Sequence, residues 1–434
     1  MDDRRGGHGS AARCEGRGLN TELGGGLAAP SPGHLRVDEV INSVITWVPP
    51  DDQMAGPLSG VTVGVKDNIE VGGVRSTCAS SFFADRVADE DATAVRRLRA
   101  AGASIVATLN LAEFAVGVTS QNSAAGGPRN PWDPDRVPAG SSGGSGAAVA
   151  AGLVDLALGT DSGGSVRLPA AACGIVGLRP TPGVLDMTGV YPVSPDFDTV
   201  GPMARTVDLV ARAFDVLTEV PQRARPAPRR VGVPRQFVTD DVDPGIAEVM
   251  AGFVKHLGDM GLEVVEVEIP MAAEAQSHVY TLLYYDLAKL HLERLAEPER
   301  FQAATLQRVR QGLTITEGQR RVAARARSDF RAGMRRVLET VDVVVTPTLP
   351  VDVPFVREEE AVLSQSVRLG QLSYPWSLHN GPTMSLPVGF HPDSGMPVGA
   401  QLTAGHCDEE ALFNIGRLYQ SETDWHTRRP PVCL

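Results

Sequence analysis

The amino-acid sequence predicts an α/β protein in which helices cover a sheet, and three observations carry that expectation. From Leu58 onward, short β-branched apolar runs alternate with amphipathic stretches, the pattern of strands buried between helices. The 434 residues suffice for a large core, and 42% apolar with 21% charged residues fits a globular chain better than a membrane one. No apolar run approaches the ~20 residues that span a bilayer, and the opening MDDRRGGHGSAARCEGRG has no apolar segment for secretion, so the chain is expected off the membrane and in the cytoplasm.

Taken in order, residues 1–34 are rich in Gly, Arg and Pro without periodicity and read as a flexible tail, with a single domain expected over 35–434. VTVGV (61–65) reads as a strand, ATAVRRLRAAG (92–102) as a helix ending at a glycine, and ASIVATL (103–109) as the next strand. GSGAAVAAGL (144–153) reads as a helix, VDLALGT (154–160) as a strand and TVDLVARAFDVL (206–217) as a helix; these elements make 58–220 the expected catalytic core. The Pro/Arg-rich passage VPQRARPAPRR (220–230) interrupts the pattern as an exposed connection. A strand at RRVGVP, a helix around 245–260 and the alternating strand LEVVEVEI (262–269) follow, then a helical excursion over about 271–340 on the substrate side of the sheet. Strands return at VDVVVTPT (341–348), TMSLPVGF (383–390) and PVGAQLTA (397–404), and DEEALFNIGRLYQ (408–420) closes as a helix.

The net charge of −12 argues against a protein that tracks nucleic-acid phosphates, and the arginines between Arg320 and Arg336 read as a solvated helix face. Cys14, Cys78, Cys173, Cys407 and Cys433 are odd in number, far apart and without a C-x-x-C pair, which leaves reduced structural thiols and no metal or cofactor site. Cation usage is more informative. Only three of the 40 basic residues are lysine, at 66, 255 and 289, and Lys66 alone ends an apolar run, VTVGVKDNI, where a cation must be desolvated. Arginine cannot lose its proton near neutral pH, whereas a desolvated lysine can be neutral and act as a base.

Two Gly/Ser-rich loops, AGSSGGSG (139–146) and GTDSGGSVR (159–167), bracket one helix and one strand. Such tracts are commonly linkers, but a linker pair enclosing one buried helix and strand is poor architecture. Phosphate binding is a second reading, yet neither G-x-x-x-x-G-K-S/T nor a strand–G-x-G-x-x-G–helix unit is present. Glycines also allow backbone N–H groups to approach a reacting carbonyl, and the N–H groups of Ser162, Gly163, Gly164 and Ser165 could converge on one oxygen. None of the nine histidines lies in a nucleophile-elbow or metal-ligand context, so a neutral lysine is the base available to a serine nucleophile.

GVKDNI (64–69), PAGSSGGSGAAVAAG (138–152) and GTDSGGSVRLPAAACGIVGLRPT (159–181) resemble, in order and spacing, the motifs of the amidase signature family, from about Leu58 to Leu217 and again weakly in DVVVTPTLP (342–350). The resemblance implies a three-layer α/β/α fold around a large mixed, mostly parallel twisted sheet. It implies Ser165 as the acyl-enzyme nucleophile, Lys66 as the base and Ser141, following a cis peptide bond, as the bridge between them, with Ser162, Gly163 and Gly164 in the oxyanion hole. Arg167 and Asp161 are expected to brace the loop.

The stretch TSQNSAAGGPRNPWDPDRVPAGSSGGS also resembles the tRNA-dependent amidotransferase member of that family, but HVYTLLYYDLAKLHLERL (278–295) occupies the region of its glutamine-recognising run. The expectation is therefore a serine amidohydrolase that cleaves the C–N bond of a small amide or ureido substrate. The alternative is an amidotransferase subunit or acyl transferase that uses the same residues with a nucleophile other than water. A pocket is expected between Phe114–Asn122, the 278–295 helix and PWSLHNGPTMSLP (375–387), with Gln121, Ser142, Trp376, His379 and Asn380 as candidate substrate contacts. A homodimer is the candidate assembly.

Overall fold

Eleven strands form one sheet in the computed structural model, which describes residues 30–49, 54–218, 227–235, 242–356 and 365–434. In chain order they are β1 (Val44–Trp47), β2 (Thr62–Lys66), β3 (Ser104–Leu109), β4 (Leu156–Asp161), β5 (Val176–Arg179), β6 (Thr199–Ala204), β7 (Arg230–Pro234), β8 (Glu263–Val267), β9 (Val343–Pro347), β10 (Thr383–Phe390) and β11 (Pro397–Ala404). In space they run β1-β3-β2-β4-β6-β5-β10-β11-β9-β7-β8. Helices over the sheet are α1 (Pro32–Ile41), α2 (Thr93–Ala100), α3 (Gly143–Ala151), α4 (Arg167–Cys173), α5 (Val207–Leu217), α6 (Pro244–Asp259), α7 (Ala275–Leu290), α8 (Ala303–Leu313), α9 (Glu317–Val337), α10 (Tyr374–His379) and α11 (Glu409–Glu422). None is long and apolar enough to cross a membrane.

Successive residues of a strand point to opposite faces, so a strand covered on both faces is apolar throughout. In β4, Leu156 and Leu158 enter the core that α2, α5, α6 and α11 close, while Ala157 enters the second core with Ala147, Ala148 and Val149 of α3. In β9, Val343 and Val345 face the first core and Val344 meets α7 and α9 in a third. These separate cores make the sheet the middle of three layers.

Two expectations change. Six of the ten strand pairings are antiparallel and four are parallel, so the sheet is mixed rather than mostly parallel. The difference comes from β5 and β6, short strands interrupted by Gly or Pro that periodicity did not mark. They insert antiparallel at the centre of the sheet, beside the β10–β11 hairpin. Second, the boundary drawn at residue 34 falls inside α1. Pro at the first helical position and Ser31, whose side chain accepts the His34 N–H, start that helix earlier. The rest of the expected tail, residues 1–29, and 220–226 of the expected connection lie outside the described residues.

Helix α3 positions the first Gly/Ser loop, and close packing explains its glycines. A Cβ on Gly144 would lie 2.5 Å from the Asn110 carbonyl oxygen, 2.6 Å from Asn110 N and 2.6 Å from the Ser43 carbonyl oxygen, all backbone atoms that cannot swing aside. Gly144→Ala is expected to destabilise the protein by ~1–3 kcal/mol, read as a lower urea midpoint at unchanged slope. An unchanged midpoint would contradict this packing.

Candidate active site

Lys66 is the last residue of β2, fully buried against the end of β4. Its Nζ lies 2.8 Å from Ser141 Oγ, 2.8 Å from Thr160 Oγ1 and 3.4 Å from the Thr160 carbonyl oxygen, while Asn68 donates to the same Thr160 hydroxyl at 3.2 Å. Burial pushes the lysine down to about 7, against the opposing pull of Asp161, Asp198 and Cys78. Ser141 follows a cis Gly140–Ser141 peptide bond, and its carbonyl accepts the Ala112 N–H at 3.1 Å.

The second loop turns between β4 and α4. Asp161 is its anchor: its carboxylate accepts the N–H groups of Gly164 at 2.7 Å and Val166 at 3.1 Å, and a two-toothed pair from Arg167 at 3.0 Å on each oxygen. Arg179 adds a third contact at 3.4 Å. Burial alone would raise this carboxyl, but the Arg167 and Arg179 guanidiniums outweigh it and hold it well below the ordinary range. From Leu156 to Thr181, Ser165 is the one residue that is not buried. Its backbone carbonyl accepts the Ser142 N–H at 3.1 Å, which joins the two loops. The Ser165 hydroxyl makes no hydrogen bond among the described residues, so the expected link from Ser141 to Ser165 is open in this structure.

Ser165 opens onto a cleft holding about 520 Å³ of space between atoms, mouth included. One wall is Ser162, Gly163 and Ser165, and another is the turn Ala115–Val118 with Val193. Helix α7 supplies Tyr280, Leu283, Tyr284 and Leu287, one stripe at helical spacing, and Tyr374 closes against Tyr280 with ring centres 5.0 Å apart. Arg308 of α8 is the cation of the lining. It is buried, and its guanidinium donates to the Ala304 carbonyl at 3.2 Å and to Ser366 Oγ at 3.1 Å, with no carboxylate partner among the described residues. Among those residues no group of His, Cys, Asp and Glu is arranged to hold a metal ion.

This architecture has known counterparts. The family model described as Amidase matches residues 50–413. The chain belongs to the amidase family. Among the relatives of this chain are the A subunit of the glutamyl-tRNA(Gln) amidotransferase from Roseiflexus sp. (strain RS-1), 37% identical over 87% of this chain and 85% of that one, and its counterpart from Methanospirillum hungatei, 35% identical over 88% and 97%. Similar solved structures include 6-aminohexanoate cyclic dimer hydrolase with its substrate, TM-score 0.83 at 27% identity over 92% of this chain and 94% of that one. Another is the corresponding glutamyl-tRNA(Gln) amidotransferase protein of Thermotoga maritima, TM-score 0.77 at 28% identity over 90% of each chain.

Within this chain the expected residues separate into two groups. Lys66 and Ser141 meet, and Ser165, Ser162 and Gly163 line the cleft. Gly164 does not, because its N–H is held by Asp161, leaving those of Ser162, Gly163 and Ser165 as candidate oxyanion donors. The five candidate substrate contacts lie off the lining. Gln121 donates to the carbonyls of Thr119 and Pro128, and Ser142 to that of Thr160. Trp376 is fully buried on α10, His379 Nε2 sits 2.9 Å from the Ala404 carbonyl and burial pushes its ring down to about 4, and Asn380 is the left-handed cap of α10 at φ 66°. Gln121, Ser142 and His379 turn to backbone carbonyls instead. Arg308, Thr160 and Tyr374 were missed; the 280, 283, 284, 287 stripe was the readable signal for the α7 wall.

Removing one partner of a buried ion pair strands the other, so Arg167→Met is expected to cost ~3–5 kcal/mol. Chemical denaturation at neutral pH reads this, and a loss under about 1 kcal/mol would mean that Arg179 alone can hold Asp161.

Proposed function

We propose that this amidase cleaves the C–N bond of a small carboxamide through an acyl-enzyme on Ser165, with Lys66 as base and Ser141 as bridge. The carrying observation is a fully buried lysine held 2.8 Å from Ser141 Oγ and lowered to about 7, with Ser165, the one residue of 156–181 that is not buried, in the cleft lining and joined to the Ser141 loop through the Ser142 N–H. The relay closes when the Ser165 hydroxyl turns onto Ser141. Ser165 Oγ then bonds to the carbonyl carbon, its proton passes to Ser141, and the Ser141 proton passes to neutral Lys66. Negative charge on the former carbonyl oxygen rests on the N–H groups of Ser162, Gly163 and Ser165. Lys66 returns the proton through Ser141 to the leaving nitrogen, the C–N bond breaks, and an ester remains on Ser165.

Water then attacks the ester carbonyl and frees Ser165 with release of the carboxylic acid, and the two readings differ in the fate of the nitrogen that left. The amidotransferase proteins among the relatives, one of them 37% identical, favour the reading that this chain releases ammonia for transfer by partner subunits. Stand-alone hydrolysis draws support from the 6-aminohexanoate hydrolase likeness and from the apolar, tyrosine-rich cleft. Arg308 suits either: a buried guanidinium without a carboxylate partner is matched by a substrate that brings one. Turnover of glutamine and of monoamides of dicarboxylic acids by the isolated chain, with and without amidotransferase partner subunits, separates the two fates. Activity on the monoamides alone supports hydrolysis, and partner-dependent glutamine use supports transfer.

Ser165→Ala is expected to abolish turnover and acyl-enzyme formation with the fold intact, and normal turnover would end this assignment. Because Lys66 must be neutral to act, and its lowered value means that the neutral form prevails only above about pH 7, kcat/KM is expected to fall below that pH. Lys66→Arg, which cannot deprotonate, is expected to be inactive across the range. An active, stable Lys66→Arg protein would refute the lysine base.

A further inference from the structure

One buried carboxylate near this site has no part in the relay just described. Asp198, in the turn before β6, accepts the Ser162 hydroxyl on one oxygen and the N–H groups of Val193 at 2.8 Å and Ser194 at 2.9 Å on the other. Ser162 and Val193 line the cleft together with Ser165. Ser194 extends the connection by donating its hydroxyl to Asp286 of α7, the helix that forms the remaining wall. A single side chain thus ties the loop that carries the candidate oxyanion donors to the facing wall, and through Ser194 to α7.

We propose that Asp198 is a positioning residue of the acyl-transfer site: through the Ser162 hydroxyl it aims the 162–165 loop, and it does so as a charged group facing Lys66. The inference rests on the Ser165 acyl-enzyme reading. The groups around Lys66 are Asp161, Asp198 and Cys78, with Asp67 next to it in the chain. Asp161 is spent on Arg167 and Arg179, and the buried Cys78 thiol is pushed up by burial and stays neutral. Asp198 is held by three neutral donors, with Arg179 as the other cation that feels it, so its charge is the less compensated of the two carboxylates that act on Lys66. Burial pushes Asp198 up to about 6, while the Ser162 hydroxyl, the two N–H groups and the nearby Lys66 favour its charged form. An ionised Asp198 favours the protonated lysine, and neutralising it lets Lys66 lose its proton at lower pH.

Asp198→Asn separates this role from simple bracing. The amide oxygen can still accept from Val193 and Ser194 while its NH₂ donates to the Ser162 hydroxyl, so the turn stays hydrogen-bonded but loses its charge. The probe is a fluorophosphonate, which needs no knowledge of the natural substrate: Ser165 Oγ bonds to phosphorus, fluoride leaves, and the serine proton goes through Ser141 to Lys66. Labelling rate against pH is read by intact mass on the full chain, alongside melting temperature, for the wild type, Asp198→Asn and Ser162→Ala. The expected result is labelling slowed about tenfold or more in both variants, with the acid limb moved down by about half a pH unit or more in Asp198→Asn alone. Asp198→Asn at the wild-type rate, or slowed with an unmoved limb and a lowered melting temperature, overturns the proposal. If Asp198→Asn does not fold, Ser162→Ala decides, since it keeps the charge and removes only the tether; wild-type labelling by it overturns the proposal. A wild type that turns over amides through Ser165 while these variants behave as wild type leaves the function standing without Asp198. A wild type never labelled at Ser165 removes the function reading and this inference together.

Discussion

The carboxylate of Asp161 is the fixed point of this molecule. It sits at the end of β4, and the backbone of the following loop, helix α4 through Arg167 and strand β5 through Arg179 all converge on it. The same guanidiniums then reach outward. Arg167 donates to the Ser373 carbonyl at 3.0 Å and to Ser377 Oγ at 3.0 Å, and Arg179 to the Phe197 carbonyl at 3.1 Å. A buried ion pair gains little over a well-packed apolar cluster, since desolvation offsets most of the attraction. What it supplies here is direction: two guanidinium planes can satisfy one carboxylate in few ways, and each way fixes where Ser165 points.

Lys66 poses the opposite electrostatic problem. It is equally buried but has no carboxylate in contact among the described residues; its near neighbours are the hydroxyls of Ser141 and Thr160. Hydroxyls can donate to a neutral amine or accept from a charged one, so the site tolerates both protonation states. Two buried cation types in one site therefore do different things. Arg167 and Arg179, which stay charged, are given the Asp161 carboxylate, and Lys66, which can shed its charge, is given hydroxyls.

Much of this was legible in the chain. Strands β10 and β11 occupy the residues that alternation and length marked, 383–390 and 397–404, because both faces of each are covered by apolar layers. Lys66 was marked by scarcity of lysine and by the run it ends, and it is fully buried. The short strands β5 and β6 were not legible, since four to six residues broken by Gly or Pro have too little periodicity to register. Arg308 was hidden for another reason: among 40 basic residues, one arginine on a polar-looking helix has nothing local to distinguish it, and its burial is decided by α7 and by Ser366, distant in sequence. Asn380 and His379 misled because an unusual residue near a pocket can answer a backbone demand, a left-handed cap or a carbonyl, as readily as a ligand.

The cleft walls come from parts of the chain that are far apart: a turn near residue 116, Val193, helices α7 and α8, and Ser366 with Tyr374. The segment that carries Tyr374 also reaches the Asp161 cluster, through the Ser373 carbonyl that accepts from Arg167. Among the described residues α7 and α8 share no hydrogen bond or ion pair with that cluster's carboxylate or guanidiniums, and the loop that bears Ser165 meets the cleft with only Ser162, Gly163 and Ser165. The Asp161 anchor and the two helices of the recognising wall are thus built from separate stretches of sequence. Drift in α7 or α8 can reshape what is admitted without disturbing the anchor of the nucleophile, so a lineage with this scaffold can change its diet while its chemistry stays the same.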